Sequence, residues 1–373
     1  MSNKFCRSLS NGYKVNVTWD NRLEWSPCCF YTKKTILTDK DAFEKAIDYT
    51  SSATGWLPEC HTCKQMEESG VVGLSPRLVS FKRIPNELNT GLCGSLEINV
   101  DLFCNAACLS CGGYASSTWK KYEYKHGLKD YGAQQNKDNE NAEKCFNDLI
   151  NNVDLSSLQH LYILGGEPLY GLTNLKILKH LHKVHPSLDQ VLLEYQSNGS
   201  LSPDNEVIEL WKGFKGVNFS MSLDGVGQRF NYLRWPLKWH RIEKNTEFLL
   251  SNTNVMLDVN ATINPLSVWY FDELEEWVNN TIPKDRLTPR LHNPVRANRC
   301  QSPMDLNLTP MDLRKDIIIK YGSEHKLSKI FSNLEFNPNN ISMFEHINTH
   351  DAIRKLSWQE TFPAAIKYFN NIV

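Results

Sequence analysis

The chain has 373 residues, of which 41% are hydrophobic and 22% are charged, and its formal net charge is −1. This composition is typical of a globular protein with a sizeable core, and the balanced charge disfavours bulk electrostatic binding to nucleic acid or to an anionic membrane. The N-terminus lacks the apolar segment of a signal peptide, and the apolar runs are far shorter than the roughly 20 residues that span a bilayer. We therefore expect a cytoplasmic protein whose 11 cysteines stay reduced and serve metal or redox chemistry.

Cysteines are concentrated in the N-terminal part of the chain. Cys60 and Cys63 are separated by two residues, which is the spacing of half a zinc site or half an iron–sulfur site. The residues alone leave both metals open, because they fix the ligands better than the metal. Further cysteines in the same region are Cys6, Cys28 and Cys29. The cysteines that stand apart, where we expect buried structural thiols, are Cys93, Cys145 and Cys300.

From residue 95 onward, apolar runs rich in β-forming residues alternate with helix-like segments. The runs that end in turn residues cover 95–103, 160–166, 190–199, 216–225 and 254–264, with a weaker run at 286–293 that Pro289 interrupts. The helix-like segments cover 172–184, 203–213, 239–251 and 267–279. This alternation predicts a parallel sheet, either doubly wound or closed into a barrel. In such a barrel, chemistry collects at the carboxyl ends of the strands.

Two segments lie outside this alternation. The segment 120–144 is polar, and we expect a loop or an exposed helix there. The tail beyond residue 309 is predicted to be helical, with Thr309 as the cap, Pro310 at the first helical position and Gly322 at the end. The rest of the tail carries no recognisable motif.

Three cysteines follow the first β run with the spacing Cys-x3-Cys-x2-Cys: Cys104, Cys108 and Cys111. Iron–sulfur clusters are usually held by four cysteines, so three leave one iron open to an outside ligand, as catalytic zinc keeps an open position. The alternatives are a zinc site or three core thiols. The second β run ends in a glycine-rich motif, whose glycines let the backbone approach a ligand closely. Its residues are Gly165, Gly166, Glu167 and Pro168.

Cys-x3-Cys-x2-Cys after a first strand, with Gly-Gly-Glu-Pro after a second, resembles the signature of the radical S-adenosylmethionine (radical SAM) superfamily. The resemblance implies an α/β fold with a partial (β/α)6 TIM-type barrel, a [4Fe-4S] cluster on the three cysteines, and S-adenosylmethionine (SAM) on the open iron. It also implies reductive cleavage of SAM to a 5′-deoxyadenosyl radical that abstracts hydrogen from a substrate. Glu167 is implied to accept a hydrogen bond from the methionine amino group.

Later strand ends are similar to those of radical SAM enzymes that carry SPASM or twitch modules. Asn198 matches the polar residue of a third-strand Ser-Asn-Gly motif. Ser222 and Asp224 are implied to meet the SAM ribose or the substrate, and Arg234 to pair with a carboxylate. Asn264 is implied to lie near the methionine group. The alternatives are ordinary turn residues at the Asn and Asp positions and a surface arginine.

The same resemblance implies an auxiliary [4Fe-4S] cluster at the N-terminus. Twitch-type modules have an early cysteine, a Pro-Cys-Cys strand end and a Cys-x2-Cys-x3-Glu helix start, and this chain has "PCC" and "CHTCKQME". Zinc stays the alternative metal. A cluster with four protein ligands has no open iron, which suggests electron transfer or a structural role. The implied ligands are Cys6, Cys28, Cys60 and Cys63, with Cys29 as the alternate to Cys28.

The expected organisation is a twitch-like cluster module (1–90), a radical SAM partial barrel (91–295) and a mainly helical extension (296–373). The expected function is that of a radical SAM oxidoreductase or maturase acting on a peptide or small polar metabolite. Its electron donor is expected to be a flavodoxin or ferredoxin, with no membrane partner. The alternative is a cluster- or zinc-bearing protein that binds or modifies nucleic acid, because "KKYEYKHGLK" and "RWPLKWHR" mix basic and aromatic residues.

Overall fold

The computed structural model describes residues 5–18, 21–68, 75–99, 101–130, 138–171, 173–288, 295–300, 303–332, 334–338 and 341–369. The strands of this part of the chain are β1 (Gly12–Val17), β2 (Leu23–Ser26), β3 (Thr35–Ile36), β4 (Ser95–Asn99), β5 (His160–Ile163), β6 (Leu192–Ser197), β7 (Gly216–Ser222), β8 (Met256–Ile263) and β9 (Val295–Arg299). They form one sheet in the order β3-β2-β1-β4-β5-β6-β7-β8-β9.

Helices separate the strands from β4 onward, which confirms the mixed α/β class and the predicted alternation. The α-helices of the described residues are α1 (Arg7–Asn11), α2 (Lys40–Ser51), α3 (His61–Glu68), α4 (Pro76–Arg83), α5 (Ser117–Lys125), α6 (Asp138–Asn152), α7 (Thr173–Val184), α8 (Asn205–Trp211), α9 (Gly227–Leu233), α10 (Trp239–Asn252), α11 (Phe271–Thr281), α12 (Met311–Tyr321), α13 (Lys326–Ser332), α14 (Ile341–Arg354), α15 (Trp358–Thr361) and α16 (Pro363–Phe369). None of them combines the length and apolarity needed to cross a membrane.

The N-terminal strands extend the sheet of the later ones. β1 and β2 form an antiparallel hairpin with Val15 opposite Trp25. β1 also pairs in parallel with β4, where Val15 lies opposite Ile98. The pairs β4–β5, β5–β6 and β8–β9 are parallel as predicted. Closure of the strands into a partial barrel, and the twitch-like nature of the N-terminal region, remain predictions.

The pairing register gives the part of the sheet formed by β4, β5 and β6 one apolar face and one polar face. Leu96, Leu161 and Leu193 lie opposite one another in β4, β5 and β6, and none is exposed to solvent. Side chains of successive strand residues point to opposite faces, so the neighbouring row lies on the other side of the sheet. That row contains Glu97, Tyr162 and Glu194.

Two local predictions differ from the observed elements, at residues 286–293 and at the start of α12. The polar segment 120–144 is helical over much of its length, in α5 and α6, in agreement with the helical alternative, and residues 131–137 lie outside the described part of the chain. The weak run at 286–293 lies partly outside it too, and the described strand there is β9. Its alternating apolar pattern rests on Val295 and Ala297 alone, which is too short to recognise in sequence.

The first helix of the C-terminal tail begins differently from the prediction. α12 has Pro310 in the capping position, and the hydroxyl of Thr309 is buried with no hydrogen-bond partner among the described residues. The backbone N–H of Thr309 donates to the carbonyl of Leu306 at 3.1 Å, so Thr309 belongs to the preceding turn and is not the cap. Gly322 ends α12 with φ of 82°, a left-handed conformation that glycine adopts without steric cost.

Residue contacts divide the chain into two compact units. Unit 1 comprises Met1–Cys104, Gly132–Gln196 and Pro203–Asn218. Unit 2 comprises Asn105–Tyr131, Ser197–Ser202 and Phe219–Val373. The domain boundaries predicted after residues 90 and 295 remain predictions.

Candidate functional site

The backbone of the cysteine loop, residues 104–111, is held by side chains of unit 2. The carbonyls of four consecutive loop residues each accept one side-chain hydrogen bond. These bonds run from Ser116 Oγ to Ala106 at 2.6 Å, from Arg354 Nη2 to Ala107 at 3.0 Å, from Trp119 Nε1 to Cys108 at 2.8 Å and from His346 Nε2 to Leu109 at 3.0 Å. The loop therefore has a fixed path at its middle cysteine.

Backbone hydrogen bonds fix the other side of the loop. The N–H groups of Ala107 and Leu109 donate to the carbonyls of Trp235 and Leu233, each at 2.7 Å. The N–H of Cys111 donates to the carbonyl of Cys108 at 3.0 Å, so these two cysteines belong to one tight turn. Both side chains are partly exposed, whereas Cys104, which belongs to unit 1, is buried.

A buried arginine lies beside the middle cysteine. Arg234 is only 8% exposed, so it is not the surface arginine of the alternative interpretation. Its Nη1 lies 3.9 Å from the Sγ of Cys108, and its Nη2 donates to Oδ1 of Asp224 at 2.9 Å. Asp224 also accepts a hydrogen bond from the backbone N–H of Thr262 at 2.8 Å. Asp224 therefore orients a guanidinium towards a cysteine sulfur.

Burial and a nearby cation act in opposite directions on one thiol of the loop. Burial raises the pKa of the Cys111 thiol, while the charge of Arg234 acts in the opposite direction. A thiol in such surroundings forms a stable thiolate when a cation is bound to it, because thiolates are the form that binds metals. The donor set of the loop thus fits an iron–sulfur cluster.

In unit 1, the glycine-rich motif packs against the chain that enters the cysteine loop. The N–H of Glu167 donates to the carbonyl of Phe103, the residue before Cys104, at 2.6 Å. Gly165 has φ of 131°, which strongly favours glycine. A Cβ on Gly166 would lie 2.2 Å from the carbonyl oxygen of Phe103. The carboxylate of Glu167 is 1% exposed and accepts a hydrogen bond from the N–H of Leu169 at 3.2 Å.

Alanine at Gly166 is expected to lower the free energy of unfolding by about 1–3 kcal/mol, because the added methyl group meets backbone that cannot rotate away. Urea unfolding of the two proteins measures this difference. Gly55 is the matched control, since a Cβ there meets no atom within 4 Å. Gly55→Ala is expected to change stability by no more than about 0.5 kcal/mol. Equal losses in the two variants would contradict the close approach at Gly166.

The remaining strand-end residues of unit 2 divide into two groups. Asn198 donates through Nδ2 to Oδ1 of Asn105, the residue after Cys104, at 2.8 Å, so the third-strand motif contacts the cysteine loop. Ser222 is half-buried at the end of β7. Asn264 is 1% exposed and accepts hydrogen bonds from the N–H groups of Leu266 and Ser267, at 3.0 and 3.2 Å. The side chain of Asn264 is therefore used in a turn, as its alternative interpretation states.

Four of the five N-terminal cysteines meet at one cavity within unit 1: Cys6, Cys28, Cys60 and Cys63. Cys6 precedes α1 and Cys28 follows β2. Cys60 ends the short 3-10 turn before α3, and Cys63 lies in the first turn of α3. Cys29 is exposed and does not line this cavity. Both residues lie in the turn that follows β2, and only the side chain of Cys28 reaches the cavity. The structure thus brings together the four cysteines favoured by sequence and leaves the alternate outside.

Apolar side chains such as Leu9 and Trp56 pack around these four thiols, and a few polar groups lie beside them. Burial raises the pKa of the Cys60 thiol to about 11 and also raises the pKa of Cys6. The Sγ of Cys63 lies 3.3 Å from Ser75 Oγ, which donates to Glu67 at 2.5 Å. Arg77 lines the same cavity and binds Glu67 through Nε and Nη2, at 2.9 and 2.5 Å. The glutamate of Cys-x2-Cys-x3-Glu thus holds an arginine beside the thiols.

Within the described residues, no group of three or more His, Cys, Asp or Glu side chains is arranged to hold one metal ion. No disulfide bond joins the cysteines of the described residues. The three predicted structural thiols, Cys93, Cys145 and Cys300, are 0–2% exposed, which confirms their burial.

Sequence reasoning missed a network of buried polar side chains on the strands. In unit 1, His160 is fully buried between Ser95 Oγ, 3.0 Å from Nδ1, and Glu194 Oε2, 2.8 Å from Nε2. Asn218 donates to the same Glu194 at 3.0 Å. In unit 2, Ser220 donates to Asp258 at 2.6 Å. The sequence does contain a signal for this network. The predicted β runs are apolar enough to be buried, yet they carry a polar residue at every second position.

Comparison with known proteins gives a limited likeness. The structure of anSMEcpe with bound AdoMet has a TM-score of 0.40 and 16% identity, over 63% of this chain and 58% of that chain. Streptococcus suis SuiB bound to S-adenosylmethionine has a TM-score of 0.38 and 13% identity, over 88% of this chain and 70% of that chain. The match thus spans less than two thirds of the length of anSMEcpe. No protein-family model and no curated protein matches the chain. The interpretation of the site therefore rests on its own residues.

Proposed function

We propose that this protein is a radical SAM enzyme that abstracts hydrogen from a peptide or small polar metabolite. The observation that carries the proposal is the packing of the Gly165–Pro168 motif on the residue before Cys104, with the 2.6 Å hydrogen bond from Glu167 N–H to Phe103. Within unit 1, the glycine-rich motif thus contacts the residue that precedes the first cysteine, although a whole helix-containing segment separates the two in sequence. A zinc site or a set of core thiols gives no reason for this adjacency.

Three residues of the proposed site hold the cluster: Cys104, Cys108 and Cys111. When bound, the cluster supplies the electron that splits the sulfonium C–S bond of SAM and yields a 5′-deoxyadenosyl radical. The chain itself fixes the loop through the carbonyls of residues 106–109 and places Arg234 beside Cys108. A guanidinium at this position stabilises negative charge on the thiolate.

SAM is proposed to bind along the glycine-rich motif and the neighbouring strand ends. Backbone groups of Gly165 and Gly166 approach the ligand, and Glu167 accepts a hydrogen bond from its amino group. Asn198 and Ser222 are the polar side chains proposed to complete the site. Asp224 and Arg234 already bind each other, so their role in SAM binding is indirect.

An auxiliary [4Fe-4S] cluster is proposed on Cys6, Cys28, Cys60 and Cys63. The support is the common cavity of these four cysteines and the pair formed by Arg77 and Glu67 beside them. With four protein ligands it has no open iron, and its role is electron transfer to or from the substrate, with a flavodoxin or ferredoxin as donor to the enzyme. A polar substrate is proposed because each unit carries buried polar side chains on its strands.

The proposed function is tested with anaerobically reconstituted protein, dithionite and SAM. The expected result is release of 5′-deoxyadenosine, measured by chromatography, together with the electron paramagnetic resonance (EPR) signal of a reduced [4Fe-4S] cluster that changes when SAM is added. Metal analysis that finds zinc alone would overturn the proposal. Salt-dependent binding of oligonucleotides without any turnover would instead favour a nucleic-acid-binding protein.

A further inference from the structure

Helix α14, in the tail that carries no sequence motif, contacts the cysteine loop on both sides of Cys108. Arg354 donates to the carbonyl of Ala107 and His346 to that of Leu109, each at 3.0 Å. The paired residues are 247 and 237 positions apart in the chain. Two contacts from one helix to carbonyls that flank the middle cysteine fix both the position and the direction of the loop.

Arg354 differs from the other guanidinium near Cys108 in forming no ion pair with a carboxylate of the described residues. Arg234 is balanced by Asp224, whereas Arg354 forms no ion pair within the described residues. Its guanidinium carbon lies 5.0–5.1 Å from the ring centroids of Trp119, Tyr122 and Trp235. Its Nε is buried and has no hydrogen-bond partner there. The guanidinium of Arg354 is thus surrounded by aromatic rings, and the carboxylate whose pKa its charge lowers, Asp351, forms no ion pair with it.

A buried charge without a counter-charge is unfavourable, and an anionic group nearby relieves the cost. Burial lowers the pKa of Arg354, and the charge of Cys108 acts in the opposite direction. An iron–sulfur cluster with thiolate ligands is such an anionic group, and its reduced state is more negative by one charge. Net charge and hydrogen bonding around a cluster set its reduction potential.

We propose that Arg354 is a positioning residue of the cysteine loop whose positive charge raises the reduction potential of the cluster bound there. This inference rests on the proposed function, because it requires a cluster on the triplet. It assigns a role to the C-terminal helix: α14 supplies a partly buried cation that contacts the loop and forms no ion pair within the described residues. Arg354 acts through the loop and the cluster and needs no contact with the substrate.

The test is a redox titration of the reconstituted protein, followed by the EPR signal that changes on addition of SAM. Arg354→Gln is expected to lower the midpoint potential of this cluster. At a fixed potential, the ratio of oxidised to reduced cluster is expected to rise about tenfold. For a one-electron couple, this change corresponds to a shift of about 59 mV in the midpoint potential. Arg354→Lys keeps the charge and is expected to retain most of the wild-type potential.

His346→Gln is the matched control. It changes a hydrogen bond from the same helix to the same loop, but it removes no positive charge, since burial lowers the pKa of His346 and keeps the imidazole neutral near pH 7. The control is therefore expected to retain the wild-type potential. Equal shifts in Arg354→Gln and His346→Gln would show that packing alone matters and would overturn the inference.

Two further outcomes are decisive. If Arg354→Gln binds no cluster, the midpoint potential of Arg354→Lys becomes the test. This variant keeps the positive charge, so a potential well below that of the wild type would contradict the proposed role of the charge. The wild type and Arg354→Gln could both hold a cluster that responds to SAM and have equal midpoint potentials. That outcome would refute the inference and leave the proposed function intact. A wild-type protein with no cluster on the triplet would refute both.

Discussion

Cys108→Ala is expected to abolish the release of 5′-deoxyadenosine. Cys108 is the middle ligand of the proposed cluster, its carbonyl is held by Trp119, and Arg234 lies beside its sulfur. Loss of partners around a metal site commonly costs 10–100-fold in affinity or activity, so loss of a ligand should reduce turnover by more than about 100-fold. Turnover is measured under anaerobic conditions with dithionite and SAM, together with the EPR signal that responds to SAM.

Cys145→Ala provides the control for this prediction. Cys145 is a fully buried thiol of unit 1 that stands apart from both cysteine groups. Its replacement is expected to lower stability modestly and to leave the release of 5′-deoxyadenosine near the wild-type value. Wild-type turnover in Cys108→Ala would remove the triplet from the chemistry and with it the radical mechanism.

Cys28→Ala and Cys29→Ala are expected to differ sharply although the residues are adjacent. Cys28 lines the cavity with three other thiols, whereas Cys29 is exposed and lies outside it. A cluster that loses one of four ligands is bound weakly or lost, so Cys28→Ala should contain one cluster less iron and sulfide per chain than the wild type. Cys29→Ala should contain the wild-type amount. Iron and sulfide assays on anaerobically reconstituted protein measure both.

The same pair of variants tests the identity of the metal. One possible result is that zinc binds to the wild type and to Cys29→Ala but not to Cys28→Ala. This result would confirm the four ligands and show that the metal is zinc instead of an iron–sulfur cluster. Loss of iron from Cys29→Ala with full iron in Cys28→Ala would reverse the assignment of the two cysteines. The 5′-deoxyadenosine assay need not change in parallel, because the auxiliary cluster is proposed to act on the substrate rather than on SAM.

Much of the fold was predictable because its signals are local. The runs of β4 to β8 and helices such as α7 and α10 were found at nearly their observed positions, since the apolar period and the turn residues lie within each segment. The sequence did not predict the position of β9 or the first residue of α12. β9 has only two apolar positions in alternation, and the preceding turn holds Thr309 by a backbone hydrogen bond that no sequence pattern reveals.

The sequence by itself determined which residues carry the proposed chemistry: the spacing of Cys104, Cys108 and Cys111 and the motif at Gly165–Pro168. Such motifs are readable because their ligands lie within a few residues of one another. Only the tertiary structure separated Cys28 from Cys29, since that depends on the direction of each side chain in the turn that follows β2. It alone brought Arg354 and His346 to the cysteine loop. Hydrogen bonds between residues more than 200 positions apart form only when the whole chain has folded, and no local pattern encodes them.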